Sequence, residues 1–240
     1  MISVRNLSIG YGSPLQADLN FEVQTGEIYV ILGGSGCGKS TLLKHMIGLL
    51  APLGGSIEID GTPSFPPPLD AAPPYGVAFQ QGALFGSMTL LQNVVLPIRK
   101  WTSLDRRTAE DVARGKLRLV SLAGFENHLP NELSGGMRKR AAIARAMALD
   151  PELLFLDEPS AGLDPVTAVA LDDLLLQLNQ DLGVTVVLVT HELESIFRIG
   201  TRCIMLDKQA GTAIAEGDPR QLRDESTDPR VRAFFHREPI

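Results

Sequence analysis

Apolar side chains at Ile2, Val4, Leu7 and Ile9 are spaced by intervening polar residues, a near period-two pattern that predicts an edge strand, and the Gly-Tyr-Gly-Ser-Pro run at 10–14 predicts a turn. Phe21 and Val23 resume the alternation around Glu22. Residues 27–32 (EIYVIL) then abandon it for a continuous apolar, β-branched run, the pattern of a buried parallel strand. Residues 42–50 suit a helix, and residues 54–61 a short strand bounded by glycines. The proline-rich stretch 62–74 can be neither helix nor central strand and is read as an exposed connection. After a short strand at 77–81, helical periodicity dominates from 88 to 130, most clearly over 109–122, with Pro97 and Trp101 as breaks. A long helix is expected from an N-cap at Ser134 to residue 149. Residues 153–158 form an apolar strand ending in two carboxylates, and 165–182 an amphipathic helix with Val166, Ala170, Leu174, Leu178 and Leu182 on one face. A buried strand at 184–190 leads to a short helix at 192–199, strands at 203–206 and 212–216, and a helix after Asp218 with proline at its first position. In the tail, 228–240, the Phe234-Phe235 pair is expected to pack back on the domain.

The predicted class is α/β, with a parallel-sheet core, an antiparallel N-terminal β-subdomain and an inserted α-helical subdomain. The corresponding segments are 1–87 with 150–225 for the core and β-subdomain, 88–149 for the helical lobe, and 226–240 for the tail.

The chemistry starts where the apolar strand ends. Gly33, Gly34, Ser35, Gly36, Cys37, Gly38, Lys39, Ser40 and Thr41 contain the pattern G-x-x-x-x-G-K-[ST], set between a strand and a helix as a phosphate-binding P-loop requires. Glycines let backbone N–H groups approach phosphate oxygens, and the following helix points its positive end at the same anion. Lys39 has the reach for β- and γ-phosphates of ATP, and the Ser40 hydroxyl can bind Mg²⁺. Asp157 and Glu158 close a later apolar strand, at the end where a doubly wound sheet binds its ligand. An Asp there can hold Mg²⁺, and the next acid can deprotonate or orient an attacking water. His191 leaves the next buried strand at the same edge, which points to a γ-phosphate contact.

Composition narrows the partners. The chain has 240 residues and a formal net charge of −6, so it offers no broad basic surface to nucleic acid; Arg138-Lys139-Arg140 is only a local cluster. Residues 1–9 alternate rather than forming a charged head and apolar core, so no export signal is expected there, and the apolar runs near 184–189 are too short to span a bilayer. Cys37 and Cys203 form no metal or disulfide spacing and are read as free thiols in a reducing compartment. The expectation is a cytoplasmic protein that can dock on a membrane protein.

Together these motifs resemble the nucleotide-binding subunit of ABC transporters over nearly the whole chain. The family signature matches Leu133-Ser134-Gly135-Gly136-Met137, the D-loop matches Ser160 to Asp164, the Q-loop Gln80, the H-loop His191 and the adenine-stacking aromatic Tyr11. The resemblance implies that Glu158, His191 and Gln80 act in catalysis, that Ser40, Gln80 and Asp157 hold the Mg²⁺, and that Tyr11, the P-loop, Ser134, Gly135, Gly136 and Asp164 contact ATP. It also implies a head-to-tail homodimer in which each ATP lies between the P-loop of one copy and the signature of the other, attached to an integral membrane permease. A narrower similarity follows Gln80, where the chain reads Gln81-Gly82-Ala83-Leu84-Phe85, and in the signature, which continues as Met137-Arg138-Lys139-Arg140. Both are similar to the Mla/MCE-associated lipid-transport ATPases, which implies an MCE-domain lipid-binding partner. A small-solute importer ATPase is the alternative. ABC ATPases of DNA repair or translation fit less well, because no long coiled coil separates Gln80 from Leu133 and the chain carries one cassette. The proline-rich stretch departs from the family's usual polar approach to the Q-loop, and the short tail implies that any regulator is a separate protein.

Overall fold

The structure, a computed structural model, describes residues 1–238; the last two residues of the predicted tail lie outside the described residues. In chain order the elements are β1 (Ile2–Gly10), β2 (Pro14–Val23), β3 (Ile28–Gly33), α1 (Lys39–Met46), β4 (Gly54–Ile59), β5 (Thr62–Pro63), β6 (Gly76–Ala78), α2 (Leu90–Trp101), α3 (Arg106–Leu119), α4 (Gly135–Ala146), β7 (Leu153–Asp157), α5 (Pro165–Leu182), β8 (Thr185–Val189), α6 (Leu193–Ile199), β9 (Arg202–Asp207), β10 (Thr212–Gly217), α7 (Pro219–Glu225) and α8 (Pro229–His236). They form two compact units, Met1–Pro67 with Thr185–Ile240, and Pro68–Val184.

The first unit holds two sheets. The antiparallel one runs in the order β2-β1-β4-β5. The alternating segment 2–9 is therefore an inner strand and not the predicted edge: Ile2 faces Val23 on one side and Ile59 on the other, and the edges fall to β2 and to the two-residue β5 at the start of the proline-rich stretch. Alternation reports that one face is buried, and it is blind to whether both flanks are paired. In the second sheet β3 pairs in parallel with both β8 and β9, and β10 closes the edge antiparallel to β9. All six residues of β3 and all five of β8 are buried, as a strand covered on both faces requires. The sheets are joined where Ala17 N–H donates to the Gly211 carbonyl at 2.8 Å. On β3, buried Tyr29 stacks on Phe21 and donates from its hydroxyl to Glu216 at 3.0 Å, and Glu216 accepts from Arg202. Phe235 of α8 is buried and its ring centroid lies 5.6 Å from that of Phe197, so the tail does pack back.

The second unit joins a parallel β6–β7 pair to helices α2 to α5. Three expectations are corrected here. Pro97 lies inside α2 and does not break it. The helix loses one hydrogen bond there but is held by burial of Val94, Val95 and Ile98 and by Asn93, whose side-chain amide donates to the carbonyls of Phe85, Met88 and Thr89. On α5 the buried face is Leu171, Leu174, Leu175 and Leu178, while Val166 and Leu182, expected on the same stripe, are exposed. A strict spacing of four overshoots the 3.6-residue turn and drifts off the face at both ends. Finally, α4 stops at Ala146 rather than 149, with Met147 as its C-cap.

Candidate functional site

In the first unit the P-loop leaves the carboxyl end of β3. Gly33, Gly36 and Gly38 have φ of 140°, 72° and 106°, conformations that side chains disfavour. At Gly33 a Cβ would also lie 2.3 Å from the Leu206 carbonyl oxygen and 2.8 Å from Cys37 Sγ. The Lys39 ammonium donates to the carbonyls of Gly33 at 2.8 Å and Gly34 at 3.2 Å, which folds it back over the loop. Gly38 is the N-cap of α1 and supplies no side chain, so no protein oxygen from a cap competes for the amides of that first turn. Gly34, Ser35 and Gly36 form the exposed crest, and Ser40 and Thr41 begin the helix half-buried. Cys37 is buried beneath the loop; burial pushes its thiol up, opposed by the Lys39 ammonium. These residues fit a bound polyphosphate: glycine backbone at the crest, a cation folded over it and an uncapped helix start.

Two more predicted residues lie in this unit. Tyr11, 60% exposed in the β1–β2 turn, accepts from Lys44 of α1 at 3.4 Å. His191 follows β8, whose Val189 is in register with Ile31 of β3, so the histidine and the P-loop leave the carboxyl ends of adjacent parallel strands. Its ring is exposed, with Nε2 3.8 Å from Glu192.

The second unit carries the acids and the signature. Ala78 of β6 is in register with Leu156 of β7, so Gln80 and the Asp157-Glu158 pair leave neighbouring strand ends. Both acids are buried. Glu158 is not glycine yet has φ 48°, a conformation that costs about 1–3 kcal/mol and persists only where surroundings impose it. Its carbonyl accepts from Ala161 N–H at 3.2 Å and from the Lys139 ammonium at 3.1 Å. Lys139 also donates to the Gln80 carbonyl. Burial lowers the Lys139 pKa, and the carboxylates of Glu158 and Asp157 act against that. Ser134 is the N-cap of α4 and accepts from Met137 N–H at 3.2 Å, with Gly135 opening the helix. Gly136 is needed by close packing, since a Cβ would lie 2.4 Å from Thr167 Cγ2. Asp164 caps α5, accepting from the Thr167 amide at 3.0 Å and hydroxyl at 2.6 Å, and these bonds hold its carboxyl below the usual range. Tyr11, the P-loop and His191 thus fall in one unit, and Gln80, the signature, Asp157, Glu158 and Asp164 in the other.

Sequence reading missed four residues that shape these loops. Buried Gln16 donates to the carbonyls of Cys37 at 2.7 Å and Asp207 at 3.0 Å, fixing the P-loop to the end of β9. Arg145 donates to Gly82 at 3.0 Å and Ala83 at 2.7 Å. Asn93 accepts from Phe85 N–H at 2.8 Å. Lys139 belongs to the run read only as a basic cluster. That run is structural: Arg138 donates to the Leu133 carbonyl at 2.5 Å and Arg140 to Ala170 at 2.9 Å. Gln16, Arg145 and Lys139 act on backbone carbonyls far along the chain, and Asn93 on backbone of the loop just before its own helix; such backbone partners leave no pattern of residue types.

Residues 16–161 match the family described as ABC transporter. Over 240 residues the chain is 40% identical to the probable ribonucleotide transport ATP-binding protein Mkl of Mycobacterium leprae, covering 98% of this chain and 68% of that one. It is 39% identical over 240 residues to the intermembrane phospholipid transport system ATP-binding protein MlaF of Haemophilus influenzae, covering 98% of this chain and 90% of MlaF. Its fold matches the dimeric post-hydrolysis state of the ATP-binding cassette MJ0796 bound to ADP and Pi, with a TM-score of 0.80, 32% identity, and coverage of 91% of this chain and 98% of that one. With a P-loop built for polyphosphate, a buried acid pair at the end of β7 and these matches, the chain belongs to the ABC transporter family, as one of its ATP-binding and ATP-hydrolysing domains.

Proposed function

We propose that this chain powers phospholipid movement by an Mla/MCE-type membrane complex, binding and hydrolysing ATP as a head-to-tail homodimer. The observation that carries the cargo is the 39% identity to MlaF across 90% of that protein, by name the ATP-binding protein of an intermembrane phospholipid transport system. The Gly82–Phe85 stretch supports it. Two side chains, Asn93 and Arg145, clamp this loop and leave Phe85 half exposed beside an apolar groove of about 380 Å³ lined by Tyr75, Leu96, Pro97, Trp101 and Leu149. An apolar segment of the permease is the fitting occupant, and attachment through it places the chain on the cytoplasmic face of the membrane. Among the described residues no helix is long and apolar enough to cross one.

Each candidate residue has a role in this reading. Lys39 and the amides of Gly34 to Thr41 bind the phosphates, Tyr11 stacks on adenine, and Ser134, Gly135, Gly136 and Asp164 of the second copy complete the site. Ser40, Gln80 and Asp157 offer the hard oxygen ligands that suit Mg²⁺, which supplies charge neutralisation on the phosphates when bound. Glu158 takes the proton of the attacking water, and His191 and Gln80 hold the γ-phosphate and water in line. Ser134 at a helix N-terminus is a second anion site without a second P-loop in this chain, and a two-fold dimer gives it one.

The test is affinity purification of the tagged chain from detergent-solubilised membranes, with identification of bound proteins and lipids. An MCE-domain protein and a permease carrying phospholipid are expected. A solute-type permease without an MCE protein, or a ribonucleotide cargo as in the name of the Mkl relative, would contradict the lipid reading and leave the ATPase intact.

A further inference from the structure

We propose that Lys139 is a positioning residue for ATP hydrolysis: its ammonium, held between the backbone carbonyls of Gln80 and Glu158, fixes the turn that aims the Glu158 carboxylate. The inference rests on the reading of Glu158 as the base.

Lys139 sits one turn beyond the signature serine on α4, and its stem runs to the ends of β6 and β7. There it donates to two carbonyls from different loops, that of Gln80 and that of Glu158 at 3.1 Å. The second belongs to the residue with φ 48°, a conformation that a side-chain-bearing residue leaves unless something restrains it. The Ala161 amide restrains that turn from within, at 3.2 Å, and Lys139 restrains it from outside. A rotation of the Glu158 peptide would move its carboxylate together with its carbonyl, so the length and direction of this bond bear on where the base stands.

Lys139 is also part of a wider clamp. From α4, Arg145 grips Gly82 and Ala83, and from α2, Asn93 grips Phe85, so the stretch from Gln80 to Phe85 is tied at successive carbonyls to the helical elements. Arg145 and Asn93 end on that loop alone. Lys139 alone among the three also reaches the acid-bearing turn, so displacement of the loop reaches Glu158 through it.

The experiment measures steady-state ATP hydrolysis by the full-length chain carrying Lys139→Met, which keeps the stem and removes the donors, and Lys139→Arg, which keeps two donors. For Lys139→Met, kcat is expected to fall roughly tenfold to a hundredfold, the scale of a misplaced catalytic group, with the KM for ATP unchanged. Lys139→Arg should recover most of that loss, which a purely steric role of the side chain would not allow. Lys139→Gln, too short to span both carbonyls, gives a second loss variant and should show the same kcat-only loss in smaller measure. In the Glu158→Gln background, Lys139→Met should add no further loss to the residual single-turnover rate. A kcat within twofold of the parent, a KM that rises in step with the fall in kcat, or an equal additional loss in the Glu158→Gln background would overturn the proposal while the base assignment stands. Full turnover by Glu158→Gln alone would remove the base assignment and the proposal together.

Discussion

Single side chains set the conditions under which each loop works. Gln16 belongs to no pattern the sequence displays, yet it is buried and donates to the carbonyls of Cys37 and Asp207, bonds worth about 0.5–1.5 kcal/mol each. The two cysteines were readable as free thiols, and both are buried and free. What the sequence could not convey is how their surroundings alter them. Burial against β10 pushes the Cys203 thiol from its ordinary 9.0 up to about 12, with Asp218 and Glu216 adding to the shift. An acid whose folded value is raised keeps its proton in the fold after the unfolded chain has lost it. Stability is therefore full below pH 9 and falls as the pH rises from 9 towards 12. Urea unfolding across that window should show a falling midpoint in the parent and a shallower fall in Cys203→Ala. Tyr29, whose phenol is likewise pushed up by burial and by Glu216, should keep part of the slope in the variant. Identical slopes would place the alkaline loss elsewhere.

Elements were legible where one signal dominated. Strand β3, the P-loop and the start of α1 follow from composition because glycine, lysine and a β-branched run each admit few conformations. The helix starts at Ser134 and Asp218 are likewise local, and in each the side chain accepts from an amide of the first turn; Asp164 and Asp228 cap α5 and α8 in the same way, though the sequence reading did not assign them that role. Partners distant in sequence were not legible. The inner position of β1 depends on β4, and the requirement for Gly136 comes from Thr167 on another helix. That last contact makes a prediction. Gly136→Ala drives a methyl into the stiff side chain of Thr167 and should destabilise the protein by about 1–3 kcal/mol. Thr167→Ser removes the obstructing methyl and keeps the hydroxyl that bonds Asp164, so the double variant should recover most of the loss in a thermal melt. Equal destabilisation of the single and double variants would show that the cost lies in the α4 backbone.

At the scale of the whole molecule, the chain carries a phosphate-binding loop and a signature helix N-terminus of its own, and the account assigns them to two different ATP molecules. The resemblance could supply that arrangement because the motifs are short, rigid and specific. The cargo rests instead on the match to MlaF, since the surface that selects a permease is half of a pair. ATP binding closes the dimer in this account and hydrolysis opens it, so a chain that binds without hydrolysing should remain closed. Glu158→Gln separates the two steps, keeping the shape of the side chain while removing its charge and basicity. The most direct test is light scattering of this variant with Mg²⁺ and ATP, run beside a multiple-turnover hydrolysis assay. The account predicts that the mass doubles on adding ATP and that turnover is lost. Sustained turnover, or loss of turnover with a mass that ATP leaves unchanged, would contradict it.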